Sequence, residues 1–169
     1  KKIGHTGTLD PDAEGVLPVC LGKATKVCDM LTDSDKVYRA VMQLGVETDT
    51  QDLTGTILKE VDTSGLMEQK VMDAVMQFEG EIHPVPPMYS ALKVNGKKLC
   101  DLARAGVTVE RKARPVTIYK IQVENIALPY VTMTVSCSKG TYIRTLCHDI
   151  GQKLGCGAAM KSLVRLQAA

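Results

Sequence analysis

The 169-residue chain has no tryptophan and a single phenylalanine. Its core must therefore come from Leu, Val, Ile and Met, and the eight methionines suit irregular gaps between larger side chains. No apolar run approaches the ~20 residues that a membrane-spanning helix needs, which argues against a membrane span. No basic segment followed by an apolar stretch opens the chain as a secretory signal would. The six cysteines, Cys20, Cys28, Cys100, Cys137, Cys147 and Cys156, form no CxxC pair and no zinc-like spacing. Each lies in an apolar stretch, where reduced core thiols sit. The expectation is a cytoplasmic protein with no metal. Internal repeats, low-complexity tracts and linkers are also missing, and this length most simply makes one domain.

Charge of one sign is not in excess either. Twenty-one Lys and Arg face nineteen Asp and Glu, a net charge of +2. The distribution is uneven, however. Residues 29–81 carry twelve acidic and four basic side chains, whereas residues 93–120 carry two acidic and eight basic ones. Residues 137–169 add five basic and one acidic side chain. Such a chain can present one basic face to a polyanion without a high overall pI.

Periodicity places the elements. Gly22 opens a helical stretch to about Leu31. Lys36–Val46 alternates as a strand, and Gly55–Val61 is a second, shorter one. Leu66, Val71, Val75 and Phe78 share one face of a predicted helix, with Ser64 near its start and Gly80 past its end. The Pro84–Pro87 segment excludes regular helix. Lys97–Ala105 reads as a short helix stopped by Gly106. Val116–Val123 and Val131–Cys137 read as strands joined through Leu128-Pro129 as a hairpin. Ile143, Cys147, Ile150 and Leu154 form the stripe of the clearest helix, Thr141–Leu154, with Thr141 as its cap and Gly155 as its stop. Ser162–Leu166 closes the set as a strand. Strands in mixed order with interspersed helices predict an α+β fold on a largely antiparallel sheet.

The most informative segment is Gly4-His5-Thr6-Gly7-Thr8-Leu9-Asp10-Pro11-Asp12-Ala13-Glu14-Gly15-Val16-Leu17-Pro18-Val19. Three glycines, three carboxylates and two prolines in sixteen residues build a constrained loop, and Pro11 pushes Asp10 into extended backbone. Asp12 and Glu14 read as surface turn residues. Gly15–Gly22-Lys23-Ala24 only superficially matches a phosphate-binding P-loop: the glycine spacing is too long, and Ala stands where Ser or Thr is required. The other informative blocks are Lys36-Val37-Tyr38-Arg39, Pro86-Pro87-Met88-Tyr89-Ser90-Ala91-Leu92-Lys93 with Asn95-Gly96, Lys139-Gly140-Thr141-Tyr142-Ile143-Arg144-Thr145, and Gly155-Cys156-Gly157-Ala158-Ala159 with Leu163 and Arg165.

Together these blocks resemble the TruB family of tRNA pseudouridine synthases over nearly the whole chain. The resemblance implies the pseudouridine synthase fold, a central mixed sheet with flanking helices around an active-site cleft. It implies an isomerisation of uridine 55 in the tRNA T loop: the C1′–N1 bond breaks, the uracil turns, and a C1′–C5 bond forms. No redox change and no energy input occur, so no cofactor is expected. Asp10 matches the family nucleophile, a carboxylate that can split one hard step into two easier ones. Tyr38 matches the aromatic platform that stacks on the flipped base. Tyr142 matches the acid/base for the C5 proton, and Arg144 the partner that orients the carboxylate. Leu163 matches a pocket-lining leucine, and His5 a histidine that fills the space left by extruded bases. His83 and His148 match nothing and read as surface residues.

Lys93, Lys97, Lys98 and Lys139, with Arg104, Arg111, Lys112 and Arg114, read as phosphate contacts. The partner expected is the T-stem loop of tRNA, bound by a monomer with no protein partner. The chain is expected to be the catalytic domain over residues 1–169, lacking an N-terminal segment and a C-terminal RNA-binding domain found in relatives. Two alternatives stand beside this one. The first is a guide-RNA-dependent relative, which would share the Asp10 block but not the Met88–Lys93 form. The second is an RNA-binding or tRNA-folding protein whose catalysis is secondary.

Overall fold

The computed structural model describes residues 2–90 and 92–168; Ala91 of the Met88–Lys93 block lies outside the described residues. In chain order the elements are β1 (Ile3–His5), β2 (Glu14–Gly15), β3 (Val19–Leu21), a 3-10 segment (Gly22–Val27) running into α1 (Cys28–Thr32), β4 (Lys36–Leu44), β5 (Val46–Thr48), β6 (Ile57–Glu60), α2 (Glu68–Met76), β7 (Gly80–Ile82), β8 (Lys93–Val94), β9 (Lys97–Lys98), α3 (Leu99–Arg104), β10 (Val116–Ala127), β11 (Tyr130–Cys137), α4 (Ile143–Leu154) and β12 (Ala158–Gln167).

Six strands form the main sheet in the order β2-β12-β4-β11-β10-β7. Only the short β2–β12 pairing is parallel, so the sheet is mixed and largely antiparallel. Period-2 alternation sends Ala40, Met42 and Leu44 of β4 and Val131, Met133, Val135 and Cys137 of β11 to one buried face. Helix α4 covers that face with Ile143, Leu146, Cys147, Ile150 and Leu154, and α2 adds Val71, Ala74 and Val75. Each Val, Leu, Ile or Met among these contributes about 1.5–3 kcal/mol when fully buried. The helix comes very close to β12 because residue 151 is glycine: a Cβ there would collide with the Ala158 backbone nitrogen. The cysteines are free and five of them are buried, as the apolar context predicts, whereas Cys100 on α3 is only half-buried and is not a core thiol. Burial pushes the Cys137 thiol up to about 11 and the Cys147 thiol up to about 12.

Several boundaries differ from the sequence expectation. The strand expected over 36–46 breaks at Gly45, whose φ of 81° turns the chain so that β5 pairs with β6 instead. The stretch from Gly22 divides into a 3-10 turn and a five-residue helix. Lys97 and Lys98 belong to a hairpin with Lys93 and Val94, and the helix starts at Leu99. Helix α2 starts at Glu68, while Ser64 bonds to Asp62 rather than capping it. Thr141 does not cap α4; its hydroxyl donates to the Ser138 carbonyl at 2.7 Å, and Tyr142 occupies the N-cap position. The closing strand is longer than expected, because a bulge between Met160 and Ser162 interrupts its alternation. His148 is half-buried, with its Nδ1 enclosed, rather than a surface residue. Strands β1, β2 and β3, of two or three residues each, are too short to show a period.

Candidate active site

The site begins with the loop between β1 and β3. Its two ends are held together: β1 pairs antiparallel with β3, and Thr6 donates its N–H to the Pro18 carbonyl at 3.1 Å. At its tip, Ala13 donates its N–H to the Asp10 carbonyl at 2.9 Å, closing a turn around Pro11. Beyond the tip, β2 lies alongside β12, and Val16 donates its N–H to the Arg165 carbonyl at 2.9 Å. Glycine is required at residue 15. Its φ is 119°, and a Cβ would run into the Arg165 backbone.

This frame brings Asp10 onto the N-terminal turn of α4. The Arg144 guanidinium faces the carboxylate with two nitrogens: Nε lies 2.9 Å from Oδ2, and Nη2 donates to Oδ1 at 3.4 Å. The Nε contact is an ion pair lying off the N–H axis, because Nε has no aligned hydrogen-bond acceptor. Arg144 is only 4% exposed, while the Asp10 side chain is 38% exposed. The cation is thus fixed inside the protein and the carboxylate looks outward. Backbone carbonyls complete the fixation, with Nη2 donating to Tyr89 at 2.7 Å and Nη1 to Thr50 at 3.3 Å. Three separate segments therefore set the angle of one guanidinium. A buried cation supported in this way loses little rotamer freedom per bond formed.

Tyr38 lies on β4 directly opposite Arg165 of β12. Burial pushes its phenol up, the adjoining Arg165 guanidinium opposes that shift, and the nearby Asp10 charge adds slightly to it. Two residues along the strands, Leu163 pairs with Ala40 and points to the same face. Lys36 shares that face at 6% exposure. Its ammonium closes the C-terminal end of α1, donating to the carbonyls of Ser34 at 2.6 Å, Thr32 at 3.2 Å and Leu31 at 3.4 Å. Burial lowers its pKa, and neighbouring Arg165 lowers it further.

Tyr142, half-buried, lines a cleft of about 320 Å³ with Pro84, Pro86, Leu92, Arg114 and Lys139. Asp10, Tyr38, Arg144 and Leu163 are not among its walls, so the structure sets Tyr142 in a hollow that the other expected site residues do not line. The remaining expected residues lie further out. His5 is exposed on β1, and Lys93, Lys97 and Lys98 are exposed on the β8–β9 hairpin. Lys139 lies at the cleft but pairs with Asp33 at 3.0 Å, both side chains being more than half exposed. So exposed a pair contributes about 0–1 kcal/mol and leaves Lys139 free to exchange partners.

The structure also adds residues that sequence reasoning did not place in the site. The Thr50 and Tyr89 carbonyls carry no side-chain signature and could not have been read. Arg165 could have been noticed as a charged residue at period 2 from Leu163, on the same strand face.

A mixed sheet whose edge loop lays a carboxylate on a buried arginine defines a class, and known proteins identify it. A crystal structure of a Cbf5–Nop10–Gar1 complex superposes with a TM-score of 0.75 at 36% identity, covering 99% of this chain and 40% of that one. A structure of an H/ACA RNP bound to a substrate RNA containing 2′-deoxyuridine gives a TM-score of 0.70 at 32% identity, covering 99% of this chain and 39% of that one. The fold is the pseudouridine synthase fold. Residues 1–143 match the TruB family pseudouridylate synthase (N terminal domain), and residues 144–169 match the tRNA pseudouridylate synthase B C-terminal domain. The chain belongs to the TruB family.

Among curated relatives, the tRNA pseudouridine synthase B of Clostridium tetani is 54% identical over 165 residues, covering 98% of this chain and 57% of that protein. That of Clostridium acetobutylicum is 56% identical over 168 residues, covering 99% and 58%. The chain therefore spans somewhat over half the length of these relatives. The two family segments meet inside α4, and β12 of the second pairs with β4 and β2 of the first. Both segments thus share one sheet and one core.

Proposed function

We propose that this chain is the catalytic unit of a bacterial-type tRNA pseudouridine synthase, which turns uridine 55 of the T loop into pseudouridine. The observation that carries this reading is the Asp10–Arg144 ion pair, a half-exposed carboxylate on a buried guanidinium beside Tyr38. Names of relatives at 54–56% identity point the same way.

In this reading the target uridine leaves the RNA stack and its base lies against Tyr38, with Leu163 bounding the pocket. Asp10 supplies the nucleophile, Arg144 fixes the direction of attack, and the bond that Asp10 forms is broken again before product leaves, which regenerates the carboxylate. The C1′–N1 bond breaks, the uracil turns within the pocket, and C5 bonds to C1′. C5 then loses its proton, with Tyr142 as the acid/base group, and N1 ends up carrying one. Atoms and electrons balance without a cofactor. His5 occupies space vacated in the RNA loop, and Lys93, Lys97, Lys98 and Lys139 contact phosphates. The protein works as a monomer in the cytoplasm with tRNA as its partner. No described helix is long and apolar enough to cross a membrane.

The test is pseudouridine formation on unmodified tRNA by purified protein with no guide RNA present. Turnover supports the proposal. Turnover only with a guide RNA would move the chain to the guided relatives. Tight binding with accelerated tRNA folding but no product would make it a folding protein.

A further inference from the structure

Arg165 is 1% exposed, and among the described residues no carboxylate lies within ion-pair distance of it. A buried cation without a counterion is costly unless its donors are otherwise satisfied. Its donors are used in an informative way. Nε donates to the Val16 carbonyl at 2.8 Å, and Nη2 donates to the Gly7 carbonyl at 3.2 Å. Gly7 and Val16 lie on opposite arms of the loop that carries Asp10, three residues before it and six after it. The same side chain lies across the β12–β4 pair from Tyr38. The backbone of Arg165 also holds the outer arm through Val16 and the β2 pairing.

The geometry points to Arg165 as the positioning residue of this site: one guanidinium ties both arms of the Asp10 loop to the strand that faces Tyr38, and so sets the carboxylate against the aromatic platform. The inference rests on the roles proposed above for Asp10 and Tyr38. It differs from the role of Arg144, which touches the carboxylate itself. Arg165 touches neither carboxylate oxygen, and acts through backbone carbonyls and the neighbouring ring. A planar fork spreads its donors in fixed directions and so can meet carbonyls on two different arms, whereas a point-like ammonium, as at Lys36, serves carbonyls clustered at one helix end. Misplacing a reacting group by about 1 Å can cost on the order of 10²-fold in rate.

The experiment compares Arg165→Lys and Arg165→Met with the unaltered protein and with Asp10→Asn, all as the full chain. Met keeps much of the volume without burying a charge, so one variant survives if the other does not fold. Three quantities are read: single-turnover rate on unmodified tRNA, tRNA affinity, and hydrogen exchange at the Ala13 amide, which bonds to the Asp10 carbonyl.

The expected result is a rate loss on the order of 10²-fold with affinity within about twofold. Ala13 should exchange faster while the β4–β11 ladder stays protected. A folded variant with unchanged rate and unchanged Ala13 exchange overturns the inference. So does loss of cooperative melting in both variants, which would make Arg165 a residue of overall stability. Full turnover by Asp10→Asn would instead sink the underlying catalytic reading. The Ala13 exchange result would still report whether Arg165 holds the loop.

Discussion

Arg144 is 4% exposed and is held at once by Asp10, Thr50 and Tyr89, whereas Lys97 and Lys98 stand exposed on a two-residue strand. The sheet side of the molecule fixes its charges with backbone carbonyls. The hairpin and helix of residues 93–104 offer charges on long, free stems, and Arg104 pairs with Asp101 only at 3.4 Å in full view of solvent. The contrast fits the two tasks proposed above for these regions. Chemistry needs one geometry, and fixing it in advance removes the entropy cost at the moment of reaction. Phosphate contact needs charge near a strand of variable shape, where a flexible lysine suffices.

The sharpest way to break the comparison is at its rigid end. Asp10→Asn keeps shape and removes the proposed nucleophile. It should fold, bind tRNA and form no pseudouridine in a product assay; measurable turnover would remove Asp10 from the chemistry. Arg144→Lys should come next. The charge stays, but contacts to one carboxylate and two carbonyls cannot all be kept by an ammonium. Single-turnover rate should drop by about 10²-fold with little change in affinity.

Tyr38 tests the boundary between the two proposed tasks, because stacking on the base would serve both. Tyr38→Ala should weaken binding by roughly 1–3 kcal/mol, the usual worth of a base–aromatic stack, while Tyr38→Phe should bind nearly as well as the original. Equal behaviour of the two variants in binding and turnover would remove stacking as its role. The smallest effect belongs to the flexible end. Reversing the charge at Lys97 and Lys98 should flatten the salt dependence of tRNA binding by roughly one unit per lost phosphate contact. An unchanged slope would place these lysines off the RNA face.

Periodic segments were legible in the sequence. The α4 stripe, the β11 alternation and the Leu66–Phe78 helix all rest on side chains whose spacing reports a buried face. Loops and breaks were less legible, for identifiable reasons. The split at Gly45 depends on a left-handed turn in a run that otherwise alternates. Thr141 looks like a cap but bonds backwards to Ser138, a competition between local partners that spacing does not decide. Candidate site residues could be named because they fall in long motifs, yet the forces on them could not. The carbonyls of Thr50 and Tyr89 that hold Arg144, and those of Gly7 and Val16 that hold Arg165, belong to the backbone. Only folding brings them to the guanidinium groups.

The most direct test of a rigid reacting centre beside a flexible binding arm is a paired measurement on one unmodified tRNA. Single-turnover rate and dissociation constant are determined together for Arg144→Lys and for the Lys97→Glu/Lys98→Glu double variant. The account predicts that Arg144→Lys slows the chemical step and leaves affinity nearly unchanged, while the double variant weakens affinity and leaves the rate at saturation nearly unchanged. Weakened binding with an intact chemical step in Arg144→Lys would contradict it, and would make Arg144 a contact to RNA rather than the partner of a reacting carboxylate.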